Sequence, residues 1–250
     1  MRRFLCPAGN HTLMQLPEII PRVLPGDLLH NYPVVSLIFA NIVTIVLAIL
    51  GNWDLATVLF VYWVQSVVIG IFSVISILSA DTAVIRGDLQ RPIDERGGTD
   101  RVTLRFAWFY LCIMAGFFTL HYGLFHLGYF FIIVDSEIFG AVNFSDPNIR
   151  IACGLFFVNH LYSYITYRHT GPKDYRFVNE NFFSPYGRII PMHLTIIFGS
   201  IVILALQILG LTTTLPVLVL FLILKTFSDI NAHLIKHERE TNPDAPVRFF

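Results

Sequence analysis

Charge is scarce in this chain. Only 14% of the 250 residues are Asp, Glu, Lys or Arg, where soluble domains carry about 25%. A 55% hydrophobic share and a mean hydropathy of +0.65 exceed what one aqueous core can hide, so the surplus must face lipid. Net charge is zero, which argues against a nucleic-acid partner. Cysteine is equally thin. Cys6, Cys112 and Cys153 lie far apart and form no C-x-x-C, so neither a disulfide framework nor a thiolate metal site is indicated. P-loop, strand-borne G-x-G-x-x-G, G-x-S-x-G and EF-hand patterns are missing as well. The basic start Met1-Arg2-Arg3-Phe4-Leu5 runs into Pro7, Gly9, Asn10 and His11 instead of an apolar stretch, so the N-terminus is expected to be retained.

What is present is apolar runs, at about 33–50, 55–79, 104–134, 149–167, 189–210 and 214–237. At ~1.5 Å per residue each can cross ~30 Å of hydrocarbon with some tilt or snorkelling. The expected fold is all-α: a polytopic bundle of six transmembrane helices. Spans one and two, and spans five and six, read as tight hairpins around Gly51-Asn52 and Gly210. Residues 1–32 form an expected interfacial arm, 33–237 the membrane domain and 238–250 a polar tail. Fifteen of the 17 Lys and Arg fall on one side of this topology, only Arg150 on the other, and Lys225 lies within a span. That alternation is what the positive-inside rule requires of six spans with both termini cytoplasmic. The connection 80–103, with its arginines, acids and Gly97-Gly98, reads as a solvated loop. The stretch 171–187 reads as an aromatic interface belt. The expected location is the bacterial or archaeal cytoplasmic membrane, with the lipid bilayer as partner and a substrate the sequence leaves unknown.

Polar residues inside the spans are few, and expensive at bilayer depth unless partnered. Lys225, Asp229, His233 and His237 recur every fourth residue and share one helix face. Asp229 is the only acid within any expected span. His193, His160 and Gln65 lie at comparable depth, with His121 central in span three and His126 further toward its outer end. One reading is a metal site. His193, Asp229 and His233 would bind zinc and leave a position open for a nucleophilic water, with His121 as a further ligand or acid–base group and Lys225 orienting Asp229 or neutralising substrate. A second reading is a proton-coupled transporter or channel, with the same residues as relay groups. A third is bis-histidine haem between His121 and His160. Against these stand blander alternatives: His237 resting among head groups, Lys225–Asp229 holding spans together, and a non-catalytic assembly factor.

Several stretches resemble a family of uncharacterised prokaryotic integral membrane proteins known only by a domain-of-unknown-function label. They are Tyr62-Trp63-x-Gln65-Ser66 with the following Val67 to Phe72, Phe118-x-x-His121-Tyr122-Gly123-x-Phe125, Tyr186-Gly187-Arg188-Ile189-Ile190-x-x-His193, and Lys225-Thr226-x-x-Asp229-x-x-x-His233. The family pattern often has an acid–amide pair where Gln65-Ser66 stand here, and a histidine where Tyr129 stands. The resemblance implies a six-helix membrane protein and favours His121, His193, Lys225, Asp229 and His233 over His160 and His237. It implies no activity.

Overall fold

The computed structural model describes residues 32–135, 137–167, 173–211 and 213–241, excluding the side chains of 32–34, 137, 167 and 230–241. The expected arm and tail, and the side chains of His233 and His237, lie outside the described residues. Within them the chain is all-helical: α1 (Tyr32–Leu50), α2 (Leu55–Leu78), α3 (Thr82–Glu95), α4 (Leu104–Asp135), a 3-10 turn (Glu137–Phe139), α5 (Pro147–Tyr167), α6 (Tyr175–Ile208) and α7 (Leu215–Thr241). Three of these, α2, α4 and α6, are long and apolar enough to cross a membrane by length and composition. Their exposed faces fit that solvent. On α4 alone, Phe106, Trp108, Phe109, Phe117, Leu120 and Leu124 are all more than half exposed, a contiguous apolar surface that water would not tolerate.

Two stretches differ from expectation. The 80–103 connection is largely the helix α3. Asp81 caps it by accepting from the backbone N–H of Ala83 and Val84, and the fully buried Ile85 anchors it to the bundle. Its charges lie on the exposed side, where Arg91 pairs with Asp88. A single apolar anchor among arginines leaves little helical periodicity to read. The helix stops where the glycines stand: Gly97 adopts φ +71° and donates to the Asp94 carbonyl. The aromatic belt 171–187 is, from Tyr175 on, the start of α6. Asp174 caps it through the Phe177 N–H, and the helix runs through Pro185 and Pro191. Both prolines are buried, so packing overrides their usual breaking of a helix.

Paired residue numbers give the helix directions. Trp63 and Ser66 of α2 meet His126 and Tyr122 of α4 in descending order, so α2 and α4 are antiparallel. His121 and Tyr129 of α4 meet Tyr186 and His193 of α6 in ascending order, so those two are parallel. In α6 and α7, Gly187 and Gly199 meet Ser228 and Val217, again antiparallel. Tyr62 and Phe72 of α2 meet Phe156 and Tyr164 of α5 in ascending order, so α2, α5 and α7 run one way, and α4 and α6 the other. Helix α2 is central, packing on α4, α5 and α6 and touching α7. Only a strip with Ile71, Ile75 and Leu78 is uncovered. The expected α6–α7 hairpin is present. The α1–α2 turn is as tight as expected, but α1 packs chiefly on α5 and reaches α7.

The end of the bundle near Trp53 is closed by the segment before α5. Trp53 donates its indole N–H to Asp146 at 2.6 Å, Thr57 bonds both Ala141 and Asn143, and Phe139 is fully buried. Gly140, at φ +88°, passes so close to Asp54 that a Cβ would lie 2.9 Å from it.

Two predictions follow from this packing. At Gly70 a Cβ would meet the Tyr122 ring at 2.6 Å, whereas at Gly116 nothing lies within 4 Å. The Tyr122 ring is pinned by two bonds to Ser66, so Gly70→Ala should cost about 1–3 kcal/mol. Gly116→Ala should be neutral or better, as thermal unfolding in detergent will show. The Trp53 indole first, and the Asn148 N–H next, hold the Asp146 carboxyl below its ordinary pKa. A depressed folded-state pKa contributes stability present above the unfolded value, about 4, and lost as pH falls through the folded one. The melting temperature should therefore fall more steeply below pH 4 in the native chain than in Asp146→Asn.

Candidate functional site

Parallel α2, α5 and α7 share one register. Tyr62, Phe156 and Phe221 form an aromatic layer, with ring centroids 5.6 Å apart for Tyr62–Phe156 and 5.4 Å for Tyr62–Phe221. All three are at most 1% exposed. One helical turn further along each helix the side chains turn polar: Gln65 and Ser66 on α2, His160 on α5 and Lys225 on α7. A step of three or four residues keeps a side chain on the same face, so the apolar layer is followed directly by a hydrophilic one. Aliphatic and aromatic packing thus closes the site toward the Trp53 end.

The polar layer is built around an ion pair. Lys225 Nζ donates to Asp229 Oδ2 at 2.7 Å, with the two side chains 4% and 3% exposed. Asn41 of α1 donates to the same carboxylate oxygen at 3.2 Å and to the Leu37 carbonyl at 3.1 Å. The ammonium lies 5.0 Å from the Tyr62 ring centroid, within cation–π range. In the same layer Gln65 and His160 approach at 3.4 Å. With the amide nitrogen as donor, His160 Nε2 accepts, and Gln65 Oε1 is left buried without a hydrogen bond. The Asn159 carbonyl oxygen is in the same position. Four helices, α1, α2, α5 and α7, therefore supply this region, and part of its hydrogen-bonding capacity is unused.

A second set of polar residues lies along the α2–α4–α6 seams. Tyr122 donates to the Ser66 carbonyl at 2.9 Å, which leaves the Ser66 hydroxyl to donate to Tyr122 at 2.8 Å. His126 stacks on Tyr122 with centroids 4.1 Å apart, and donates Nδ1–H to the Tyr122 carbonyl; its Nε2 is buried without a partner. His121 and Tyr186 meet at 2.9 Å, and Tyr129 and His193 at 2.8 Å, bridging α4 and α6 twice. Both histidines are exposed at the bundle surface.

The residues singled out from sequence are therefore distributed. Lys225 and Asp229 meet as a contact pair. Asp229 is partnered by Lys225 and Asn41, whereas His193 is partnered by Tyr129 at the α4–α6 seam. Among the described residues no three His, Cys, Asp or Glu side chains converge as a metal set. His121 also lies on that seam, while His160 faces Gln65. Helices α4 and α5 pack on different parts of α2 without extensive contact between them, so the structure does not bring these two histidines together. Sequence reading gave no role to Asn41, Asn159 or Tyr62, the last quoted only within the Tyr62-Trp63-x-Gln65 stretch. An amide at the centre of an apolar run was the available signal for Asn41.

One family model, described as a family of unknown function (DUF6498), matches residues 24–246. The chain belongs to that family. No curated protein and no solved structure matches it. The match covers every helix described above, so the aromatic and polar layers both lie within the family's span.

Removing one member of a buried ion pair leaves the other charge uncompensated, at a cost of about 3–5 kcal/mol. Lys225→Met or Asp229→Leu alone should be strongly destabilising. The double variant should recover a large part of the loss, a non-additivity that unfolding measurements on all four proteins will reveal.

Proposed function

We propose that the chain is a six-span protein of a bacterial or archaeal cytoplasmic membrane, with both termini cytoplasmic, that moves protons across it through the Lys225–Asp229 pair, alone or coupled to a solute. The topology is supported by the bias of fifteen basic residues to one, and by the alternating directions of α2, α4, α5, α6 and α7. On this assignment α1 (19 residues) and α5 (21 residues) complete the crossing set with α7. Helix α3 then lies at the cytoplasmic surface and the Trp53–Asp146 contact on the outer side.

The observation that carries the reading is the polar layer directly beneath the aromatic one. Charged groups in a low-dielectric interior are costly, and the aromatic layer separates this pair from the outer end. Protonation of Asp229 would cancel its attraction for Lys225 and weaken the Asn41 bond, freeing both partners to rearrange. His160, in the same layer as Lys225 and contacted by Gln65, is the titratable group through which a proton would pass toward or from the pair. Tyr62, Phe156 and Phe221 act as the outer gate. A zinc hydrolase built on His193, Asp229 and His233 would instead have to draw Asp229 from Lys225 and His193 from Tyr129. The relay uses the pair as it stands.

Proteoliposomes loaded with a pH-sensitive dye, under a valinomycin-imposed potential, test this. The native chain should acidify the lumen above protein-free vesicles, Asp229→Asn should abolish the flux, and Phe221→Ala should raise it by opening the gate. Native flux equal to protein-free vesicles, or undiminished in Asp229→Asn, refutes the proton pathway. Elemental analysis of the same preparation decides against it if zinc is stoichiometric and lost in His193→Ala.

A further inference from the structure

Two histidine–tyrosine pairs on the α4–α6 seam have no part in the proton pathway. His121 Nδ1 meets the Tyr186 hydroxyl at 2.9 Å, and His193 Nδ1 meets the Tyr129 hydroxyl at 2.8 Å. Neither phenol has another hydrogen-bond partner among the described residues. With the phenol O–H donating to Nδ1, the imidazole hydrogen sits on Nε2, and each pair is left with one unmet group instead of two. No group among the described residues accepts from either Nε2. Each histidine thus has a spare N–H donor.

Both histidines are exposed, and their surroundings are apolar. Leu120, Leu124 and Phe125 flank His121, and Ile190 and Ile197 flank His193, all of them exposed. Helices α4 and α6 are both long and apolar enough to cross a membrane. Ser66, midway along α2, bonds Tyr122, so the adjacent His121 lies at mid-depth of the bundle. His193 is level with Tyr129, ~12 Å further toward the Trp53 end by helix rise. Both depths fall within ~30 Å of hydrocarbon centred on Ser66. A donor facing hydrocarbon without an acceptor is costly, and here two recur on one seam. Rings line it as well: Phe117 lies nearly parallel to His121 with centroids 5.5 Å apart, and Phe125 meets it edge-on at 5.2 Å.

We infer that the α4–α6 seam is a docking site, open sideways to lipid, for the ring of a membrane-soluble quinone whose carbonyl oxygens accept from Nε2–H of His121 and His193. The site dictates this class of ligand. The protein supplies donors, so the ligand must bring acceptors. It must reach the middle of the hydrocarbon, whereas the ester oxygens of bilayer lipids stay at the head-group boundary. Its polar end must be flat to lie among the rings of Phe117, His121 and Phe125. A quinone carries acceptors on opposite sides of a flat ring, and with a hydrogen bond of ~2.9 Å at each end it reaches between levels ~12 Å apart. The seam is separate from the Lys225–Asp229 pair, and the inference does not rest on the proton pathway.

Full-length protein in neutral detergent, titrated with decylubiquinone, provides the test, with decylbenzene, which has a ring and tail but no carbonyl, as reference. The quinone should raise the melting temperature saturably and beyond decylbenzene, and its infrared carbonyl stretch should move to lower wavenumber on binding. His121→Phe and His193→Phe keep a ring and remove the donor. Each should weaken affinity about tenfold and return one carbonyl stretch toward its unbound position. Tyr186→Phe breaks the same bridge but keeps the Nε2 nitrogen, so it should weaken binding less than His121→Phe. If the histidine variants do not fold, the carbonyl stretch in the native chain carries the test. The inference is overturned if decylbenzene matches the quinone, which would mean ordinary acyl-chain occupancy, or if the bound carbonyl stretch is unshifted. It is overturned equally if Tyr186→Phe costs as much as His121→Phe, which would make the bridges purely structural. A dimer cross-linked through Leu124→Cys, three residues from His121, and undiminished by quinone would assign the seam to a second copy of the chain instead.

Discussion

Neither Lys225 nor Asp229 is tolerable alone in the interior of this bundle, and that constraint organises what surrounds them. A 2.7 Å contact between groups a few per cent exposed is favourable only when the remaining lone pairs and protons also find partners. Asn41 meets that demand from a helix nearly two hundred residues away in sequence, and in doing so ties α1 to α7. The Tyr62 ring faces the ammonium and at the same time belongs to the apolar layer above. Charge neutralisation, helix docking and closure toward the Trp53 end are thus aspects of one arrangement.

The common register of α2, α5 and α7 explains how apolar and polar regions can be adjacent without a mixed boundary. Parallel helices with matching spacing place like side chains at like depth, so a ring of aromatics on three helices is followed one turn later by a ring of hydrogen-bonding groups. The unsatisfied oxygens of Gln65 and Asn159, and Nε2 of His126, lie in or near this second layer. Buried polar groups are ordinarily paired, so these atoms mark hydrogen-bonding capacity that the interior leaves unused. By contrast, the histidines of the two histidine–tyrosine bridges at the α4–α6 seam are exposed, and the bridges join two parallel helices that otherwise touch sparingly.

Much of the helical content was legible because the spans are long and their compositional contrast with the loops is sharp. The ends of α1, α2, α4 and α5 fall within two residues of the apolar runs. The start of α6 was not legible, since aromatic and polar residues around Asn181 and Pro185 mask its periodicity, and neither was α3, whose single buried anchor is Ile85. The four-residue stripe on α7 correctly marked Lys225 and Asp229 as one face. It was silent on which of the other polar residues share their environment: Asn41 does, while His193 is turned toward Tyr129.

By itself the sequence determined an apolar, all-helical chain in which a lone buried acid must answer a lone buried base, because one-dimensional spacing dictates both helix length and which residues share a face. Which faces meet was a matter for tertiary structure alone. Helix rotation about its axis, and the choice of α5 instead of α2 as the main neighbour of α1, depend on the sum of many weak packing contacts between distant segments. Those contacts put Asn41 on Asp229 and lined up the aromatic and polar layers.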